Sequence, residues 1–295
     1  MKCQFEEKQY EQHLNNELLH RKQLLYVPGQ VLEGRLGFDA ALYSRNRAFW
    51  RLFDVPPFFP WFDGLWIASN RPGVQLCREW WSHLDQSLPY FPRFKFNVFV
   101  QHKRPEYLTI SSANEWSHWN RPYFRFELTP HQQKALEQLE SHAQNRAIVV
   151  YGSPAFVELA ELWSAINDQK LIERSNFCQP SKLSGHHAYT FADPGRIGKA
   201  HSDTEDIESF DFYEQFNVLN AATDKGEDNI EYIIRTGNEV QASIQDCGDL
   251  TDAFTTVLNT FNIKEDDKNR LPFALAKISV FNFVAGTTWS IAIQQ

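Results

Sequence analysis

One segment constrains the fold of this 295-residue chain more than any other. Residues 94–103 have the sequence FKFNVFVQHK, in which apolar side chains occupy every second position from Phe94 to Val100. Alternate side chains of a strand point to the same face, so this period predicts a strand with one apolar face. The opposite face ends in two polar side chains, Gln101 and Lys103. The segment therefore predicts a sheet built around this strand, with a polar group at one strand end.

The flanking segments alternate between helical and extended patterns. Residues 4–25 contain neither Gly nor Pro and place Leu14 and Leu18 one helical turn apart, which predicts a helix. The other predicted elements are a strand pair or bent strand within 31–43, a strand near 123–126, a helix over 129–145, a buried strand over 147–151 and a helix from 154 to about 166. This order predicts an α/β fold with a mixed central sheet and helices on both faces.

The composition changes near residue 201. The whole chain has a net charge of −8, whereas residues 202–267 alone carry 17 acidic and 3 basic side chains. We predict a core over 1–201, which includes an aromatic-rich, proline-containing insertion over 44–90. The remainder, 202–295, is predicted to be an acidic region that packs on the core and ends in a β-hairpin. The acidic segment indicates a solvated surface, a docking face for a basic partner, or a flap that competes with nucleic acid.

The cysteines and the N-terminal sequence indicate the compartment. The four cysteines (Cys3, Cys77, Cys178 and Cys247) have no CxxC spacing, which excludes a zinc ribbon and argues against a disulfide framework. The N-terminal segment is polar, and no stretch approaches 18 apolar residues. We therefore expect a cytoplasmic protein with no membrane contact.

Four polar residues suggest a catalytic site. Glu33 and Asp39 lie in LEGRLGFDAAL, and Gln101 and Lys103 end the predicted strand 94–103. Hydrolysis of a phosphodiester with a divalent ion requires hard oxygen ligands and a group that orients or deprotonates the attacking water. The pleat places Gln101 and Lys103 on one face, so both can point towards a metal held by Asp39 on a neighbouring strand.

With these residues, roughly 5–150 of the chain resembles the PD-(D/E)xK nuclease superfamily, the fold of many restriction endonucleases. In that family a helix Glu, a strand Asp, an acidic residue and a Lys form the metal site. Gln101 replaces the acidic member here, which is similar to the Mrr-like branch, where the amide oxygen takes the ligand role. The resemblance implies a restriction-endonuclease-like core, with Mg²⁺ or Mn²⁺ bound by Asp39, Gln101 and Glu33, and Lys103 as a catalytic residue.

Further candidate residues lie on the first helix and beside the predicted strands. Glu11 shares the stripe of Leu14 and Leu18, so we favour it over Glu17 as the helix acid. Basic residues that follow the Asp39 and Lys103 segments are candidates for phosphate contact: Arg45, Arg47, Arg51 and Arg104. Aromatic residues beside the first three arginines indicate either base stacking or the insertion's own core.

Three histidines leave a separate question open. His186, His187 and His201 lie in a segment rich in Gly, which favours a loop over a strand. Their spacing does not match a zinc site, and phosphate contact or a structural role both remain possible.

Two functions follow as expectations. The first is a Mg²⁺-dependent endodeoxyribonuclease that cuts DNA, with RNA a less favoured substrate. The resemblance implies a setting in prokaryotic restriction or anti-phage defence, and a protein partner contacting 202–267 would restrain or deliver the enzyme. The second is a non-catalytic interaction protein on the same scaffold, which uses its acidic surface. The alternative to both is that Gln101 and Lys103 are an ordinary solvated strand end and that Asp39 is a turn or cap residue.

Overall fold

The computed structural model describes residues 1–22, 24–26, 88, 91–221, 226–260 and 270–293. The helices in these ranges are α1 (Glu7–Lys22), α2 (Trp116–Trp119), α3 (Pro130–Ala143), α4 (Leu159–Asn167), α5 (Phe212–Ala221), α6 (Asn229–Ser243), α7 (Asp249–Thr260) and α8 (Arg270–Ala285). The strands are β1 (Leu24–Tyr26), β2 (Phe94–His102), β3 (Glu106–Leu108), β4 (Tyr123–Glu127), β5 (Ala147–Pro154), β6 (Ser175–Cys178), β7 (Ala188–Phe191), β8 (Gly198–His201), β9 (Glu205–Ile207) and β10 (Thr287–Ile293). The predicted α/β class is confirmed.

The first sheet is mixed and has the strand order β1-β10-β2-β5-β6. Strands β2 and β5 run parallel, with Gln101 opposite Tyr151, and α3 lies in the connection between them. The other pairs in this sheet are antiparallel. Both edges of β2 are thus hydrogen-bonded, to β10 on one side and to β5 on the other. The prediction that a strand carrying Asp39 neighbours β2 is therefore wrong, because β10 and β5 occupy both neighbour positions.

Strand β2 is buried on both faces, which explains its strongly apolar sequence. The ring of Phe99 packs edge-on against Phe281 of α8, with 6.1 Å between centroids. Phe96, on the opposite face, packs against Phe216 of α5 with 4.9 Å between centroids. Helices therefore cover both faces of the sheet, as predicted.

The helix boundaries follow local signals. Thr129 has extended backbone dihedrals and Pro130 occupies the first turn, which is where a helix accepts proline without losing a hydrogen bond. The helix expected from 154 begins instead at Leu159, because β5 continues through Pro154 and pairs there with Ser175.

The second sheet is antiparallel and has the order β3-β4-β7-β8-β9. Its apolar face packs towards the first sheet, since the ring of Phe126 lies 5.8 Å from that of Tyr151. The prediction of a loop over the histidine segment is correct for His186 and His187, which precede β7, but wrong for the rest, because 188–191 and 198–201 form the hairpin β7–β8. Each strand has only four residues, too few to show a period.

The predicted C-terminal β-hairpin is also wrong. Residues 270–285 form helix α8, and only 287–293 form a strand. A helix that is buried nearly all round has no polar stripe, so its sequence cannot be distinguished from a buried strand by period alone. The helix ends at Gly286, whose φ of 66° is a conformation that glycine adopts without strain.

Several predicted features lie outside the described residues. These are the strand pair within 31–43 and, apart from Leu88, the insertion over 44–90. The three described cysteines, Cys3, Cys178 and Cys247, are buried free thiols. Among the described helices, none is both long and apolar enough to cross a bilayer.

Candidate functional site

The carboxyl ends of the parallel strands β2 and β5 meet at one edge of the first sheet. His102 lies opposite Gly152 in the register, and the backbone N–H of Lys103 donates to the Gly152 carbonyl at 2.9 Å. This bond extends the ladder one residue past β2. The backbone that carries Gln101 and Lys103 is therefore held rigidly at the strand end.

Gln101 is buried, with 3% of its surface exposed. Its Nε2 donates to the Ala285 carbonyl at 2.6 Å and to Gln132 Oε1 at 3.0 Å. These bonds join β2 to the C-terminus of α8 and to the first turns of α3. The Oε1 atom is buried and has no hydrogen-bond partner. It is the atom that a ligand would be expected to satisfy.

Lys103 is half-buried beside a buried tyrosine. Its Nζ lies 5.5 Å from the ring centroid of Tyr151, the residue opposite Gln101, so Lys103 shares the Gln101 face as the pleat predicts. Burial lowers the pKa of Lys103, and the charge of Glu7 acts in the opposite direction. A desolvated amine of this kind is found more often at functional sites than on ordinary surfaces.

Glu7 is the helix acid whose charge acts on this amine, and it was not among the predicted site residues. Burial raises the pKa of Glu7, while the Lys103 charge lowers it. Glu7 lies one turn before Glu11 on the same stripe of α1. The sequence shows that stripe but not which of its turns reaches the end of β2, because that depends on how the helix packs.

Two other acids of α1 have different partners. Glu11 forms an ion pair with Lys8 at 2.8 Å. Glu17 is buried, and its carboxylate accepts backbone hydrogen bonds from Leu171 at 2.7 Å and Ile172 at 3.4 Å. Glu17 thus ties α1 to the loop before β6. The helix acid whose charge acts on Lys103 is therefore Glu7, whereas Glu11 pairs with Lys8.

Of the remaining predicted site residues, the structure describes only Arg104. Glu33, Asp39, Arg45, Arg47 and Arg51 lie outside the described residues. Arg104 is described, and its guanidinium pairs with Glu6 at 3.2 Å and donates to the Cys3 carbonyl. One third of that side chain remains exposed.

The described part of the chain does not by itself make a magnesium site. It contains no group of three or more His, Cys, Asp or Glu side chains placed to share an ion. Mg²⁺ prefers several oxygen ligands, including one or two carboxylates. Gln101 Oε1 fits one such ligand position, so the carboxylates would have to come from Asp39 and Glu33.

The histidine segment forms no metal site among the described residues. His187 Nδ1 is 3.1 Å from Ser202 Oγ, and His186 Nε2 is 4.0 Å from Glu205. His201 Nε2 is 2.7 Å from Thr190 Oγ1, and burial lowers its pKa to about 4. These contacts lie within or beside the second sheet and favour structural roles.

Part of the acidic segment is neutralised within the chain. Four of its carboxylates pair with described basic residues: Asp206, Glu227, Glu231 and Glu239. Asp228 accepts from two backbone N–H groups at the start of α6, as a helix N-cap does. The surface available for a basic partner is therefore smaller than the sequence count indicates.

Comparison with known proteins adds no assignment. No protein-family model, no curated protein and no solved structure matches this chain.

Proposed function

We propose that this protein is a metal-dependent nuclease that hydrolyses phosphodiester bonds of DNA, as the resemblance to the PD-(D/E)xK superfamily implies. The supporting observation is the half-buried Lys103, which is held at the end of β2 beside buried Gln101 and whose pKa the charge of Glu7 raises against the effect of burial. Desolvating a charge is unfavourable, so the arrangement needs a reason beyond stability. Binding the developing charge of a phosphodiester is such a reason.

Lys103 would act on the phosphate and Glu7 on Lys103. An ammonium in a water-poor position stabilises negative charge on the scissile phosphate more than it would in bulk water. Glu7 favours the protonated amine, because its charge opposes the pKa-lowering effect of burial. Glu7 is therefore a positioning residue in this scheme.

Mg²⁺ or Mn²⁺ would be held by Asp39, Glu33 and the free Oε1 of Gln101. The ion, when bound, would polarise the phosphate and lower the pKa of a bound water. The arginines at 45, 47, 51 and 104 would contact the DNA backbone. By the same resemblance, we place the enzyme in prokaryotic restriction or anti-phage defence in the cytoplasm, with a protein partner that contacts the acidic segment 202–267.

A Lys103→Met variant tests the proposal. We expect cleavage of plasmid and single-stranded DNA with Mg²⁺ or Mn²⁺ to fall by about 100-fold or more, the typical loss when one transition-state donor is removed. We expect no loss of thermal stability, because the apolar side chain removes a desolvated charge and keeps the packing of the stem. Lys182→Met, which changes an exposed lysine, is the control and should retain full activity. A Lys103→Met protein that cuts as well as the wild type would contradict the proposal.

The non-catalytic alternative is favoured by one observation, the two hydrogen bonds that the Gln101 amide donates inside the fold. A Gln101→Glu variant separates the alternatives. Its carboxylate would face two acceptor oxygens, so we expect a loss of several kcal/mol in unfolding free energy without metal. If Gln101 is a metal ligand, millimolar Mg²⁺ should raise the melting temperature of the variant more than that of the wild type. An equal shift in both proteins would favour the structural role.

A further inference from the structure

A second site is formed by an open cleft of about 430 Å³ on the second sheet. Its walls come from the end of α2 and the segment after it, the β7–β8 turn and the residues that follow β9, and none of them belongs to the site around Lys103. Trp119, Arg121, Arg196 and Ile197 line the cleft, together with Ser209 and two carboxylates, Asp193 and Glu208. A cleft of this size can hold one nucleotide-sized ligand.

The indole of Trp119 is fixed in orientation before any ligand binds. Its Nε1 donates to Thr190 Oγ1 at 3.0 Å, and the ammonium of Lys199 lies 5.3 Å from its ring centroid. An aromatic ring held in this way loses little side-chain entropy when a planar partner stacks on it. The cleft therefore offers a prepared stacking surface.

Arg196 supplies a cation that forms no ion pair with either carboxylate of the cleft, since Asp193 pairs with Arg121 and Glu208 has no ion pair with Arg196. It is exposed, and it forms no ion pair with any of the residues that the structure describes. Arg121, by contrast, is paired with Asp193. Because its planar donors fit phosphate oxygens, the unpaired Arg196 guanidinium is a suitable phosphate contact.

Ser209 adds an unsatisfied polar group. Its Oγ is buried and lacks a hydrogen-bond partner within the described chain. A hydroxyl in this state is satisfied by a ligand that carries its own donor or acceptor, such as a sugar hydroxyl or a base edge.

We propose that the cleft binds one unpaired nucleotide of a nucleic-acid strand, with the base on Trp119 and the phosphate on Arg196. This inference deepens the proposed nuclease function. It rests on that function for the claim that the nucleotide belongs to a nucleic-acid substrate. A base within a duplex has both faces covered by its neighbours, so only an unpaired base can stack on the indole. The cleft would thus give the enzyme a preference for substrates with a single-stranded segment.

The test measures binding without any divalent ion, so that cleavage plays no part. Fluorescence anisotropy of a labelled ten-nucleotide oligothymidylate should show about 5- to 100-fold weaker binding by Trp119→Leu, from the stacking energy of one base. Trp163→Leu is the matched control, because Trp163 is an exposed tryptophan on α4 outside the cleft. This variant should bind the oligothymidylate as tightly as the wild type. Arg196→Ala, on an exposed turn, should weaken binding and lower the slope of log affinity against log salt by about 0.7.

The competing ligands decide the source of the nucleotide. Unlabelled oligothymidylate should compete better than thymidine monophosphate, and inorganic phosphate should compete least. Unchanged affinity in both Trp119→Leu and Arg196→Ala overturns the proposal. If thymidine monophosphate competes as well as the oligomer, the claim that the cleft binds a nucleotide within a strand is overturned. A wild-type protein that binds the oligomer through these residues but never cuts it would refute the nuclease function alone.

Discussion

His102 separates the two candidate catalytic side chains in sequence, yet it points to the other face of β2. Its Nε2 is 3.0 Å from Thr288 Oγ1 of β10, and its ring packs edge-on against Tyr10 of α1. Burial lowers the pKa of His102 to about 3, with a smaller contribution from the Lys8 charge. The residue is therefore neutral near pH 7 and joins α1, β2 and β10 rather than exchanging protons there.

This pKa predicts acid sensitivity. The unfolded chain binds a proton on His102 below about pH 6.5, whereas the folded chain does not until about pH 3. Folding stability from this residue is thus complete above pH 6.5 and is lost as pH falls towards 3, with about 2 kcal/mol lost by pH 5. Urea unfolding at pH 7.5 and pH 5 should show a smaller loss in His102→Gln than in wild type. In the control variant His131→Gln, which replaces an exposed histidine, the loss of unfolding free energy between pH 7.5 and pH 5 should equal that of the wild type. Equal losses in wild type and His102→Gln would contradict the lowered pKa of His102.

The part of the site that follows from one strand was predictable, and the part that depends on packing was not. The pleat alone places Gln101 and Lys103 on one face. The choice among the acids of α1 depends on where the helix crosses the sheet. There we predicted Glu11, whereas the helix acid whose charge acts on Lys103 is Glu7. Glu17 lies beside Leu14 and Leu18 but off their line, so its burial was not predicted either.

At the scale of elements, helices α6 and α8 pack closely together. A Cβ atom on Gly237 of α6 would lie 2.8 Å from both the Cα and the Cβ of Ala274 in α8. The two backbones can approach this closely only because one side chain is a hydrogen atom and the other a methyl group. Sequence alone gave no sign of this contact, since α8 was expected to be extended.

Gly237→Ala should therefore destabilise the protein. Glycine to alanine within a helix normally stabilises by about 1 kcal/mol, because alanine restricts the unfolded chain. Here the added methyl group must displace α8, so we expect a net loss of about 1 to 3 kcal/mol in unfolding free energy. Gln241→Ala, one turn further along α6 and only partly buried, should change stability by less than about 1 kcal/mol. A stabilised Gly237→Ala protein would show that the two helices are further apart.

At the scale of the molecule, composition and topology divide the chain differently. The acidic composition suggests a separate region after residue 201, but β10 from the end of that region lies between β1 and β2. Trp289 of β10 is buried, stacks on Phe99 and donates through Nε1 to Asn97 Oδ1 at 2.9 Å. Charge marks which surfaces face water, whereas strand order depends on pairings between distant segments that no local pattern encodes.

This topology predicts that residues 1–201 cannot fold alone. Without β10, the strand β2 loses a partner along its whole length from Phe94 to Gln101, and its apolar face against α6 and α8 is exposed. An isolated 1–201 fragment should be insoluble or lack a cooperative thermal transition by circular dichroism. Co-expression with a 202–295 fragment should restore a soluble complex, because the missing strand and helices are then supplied in trans. A 1–201 fragment that melts cooperatively on its own would show instead that the boundary in composition is also a boundary in folding.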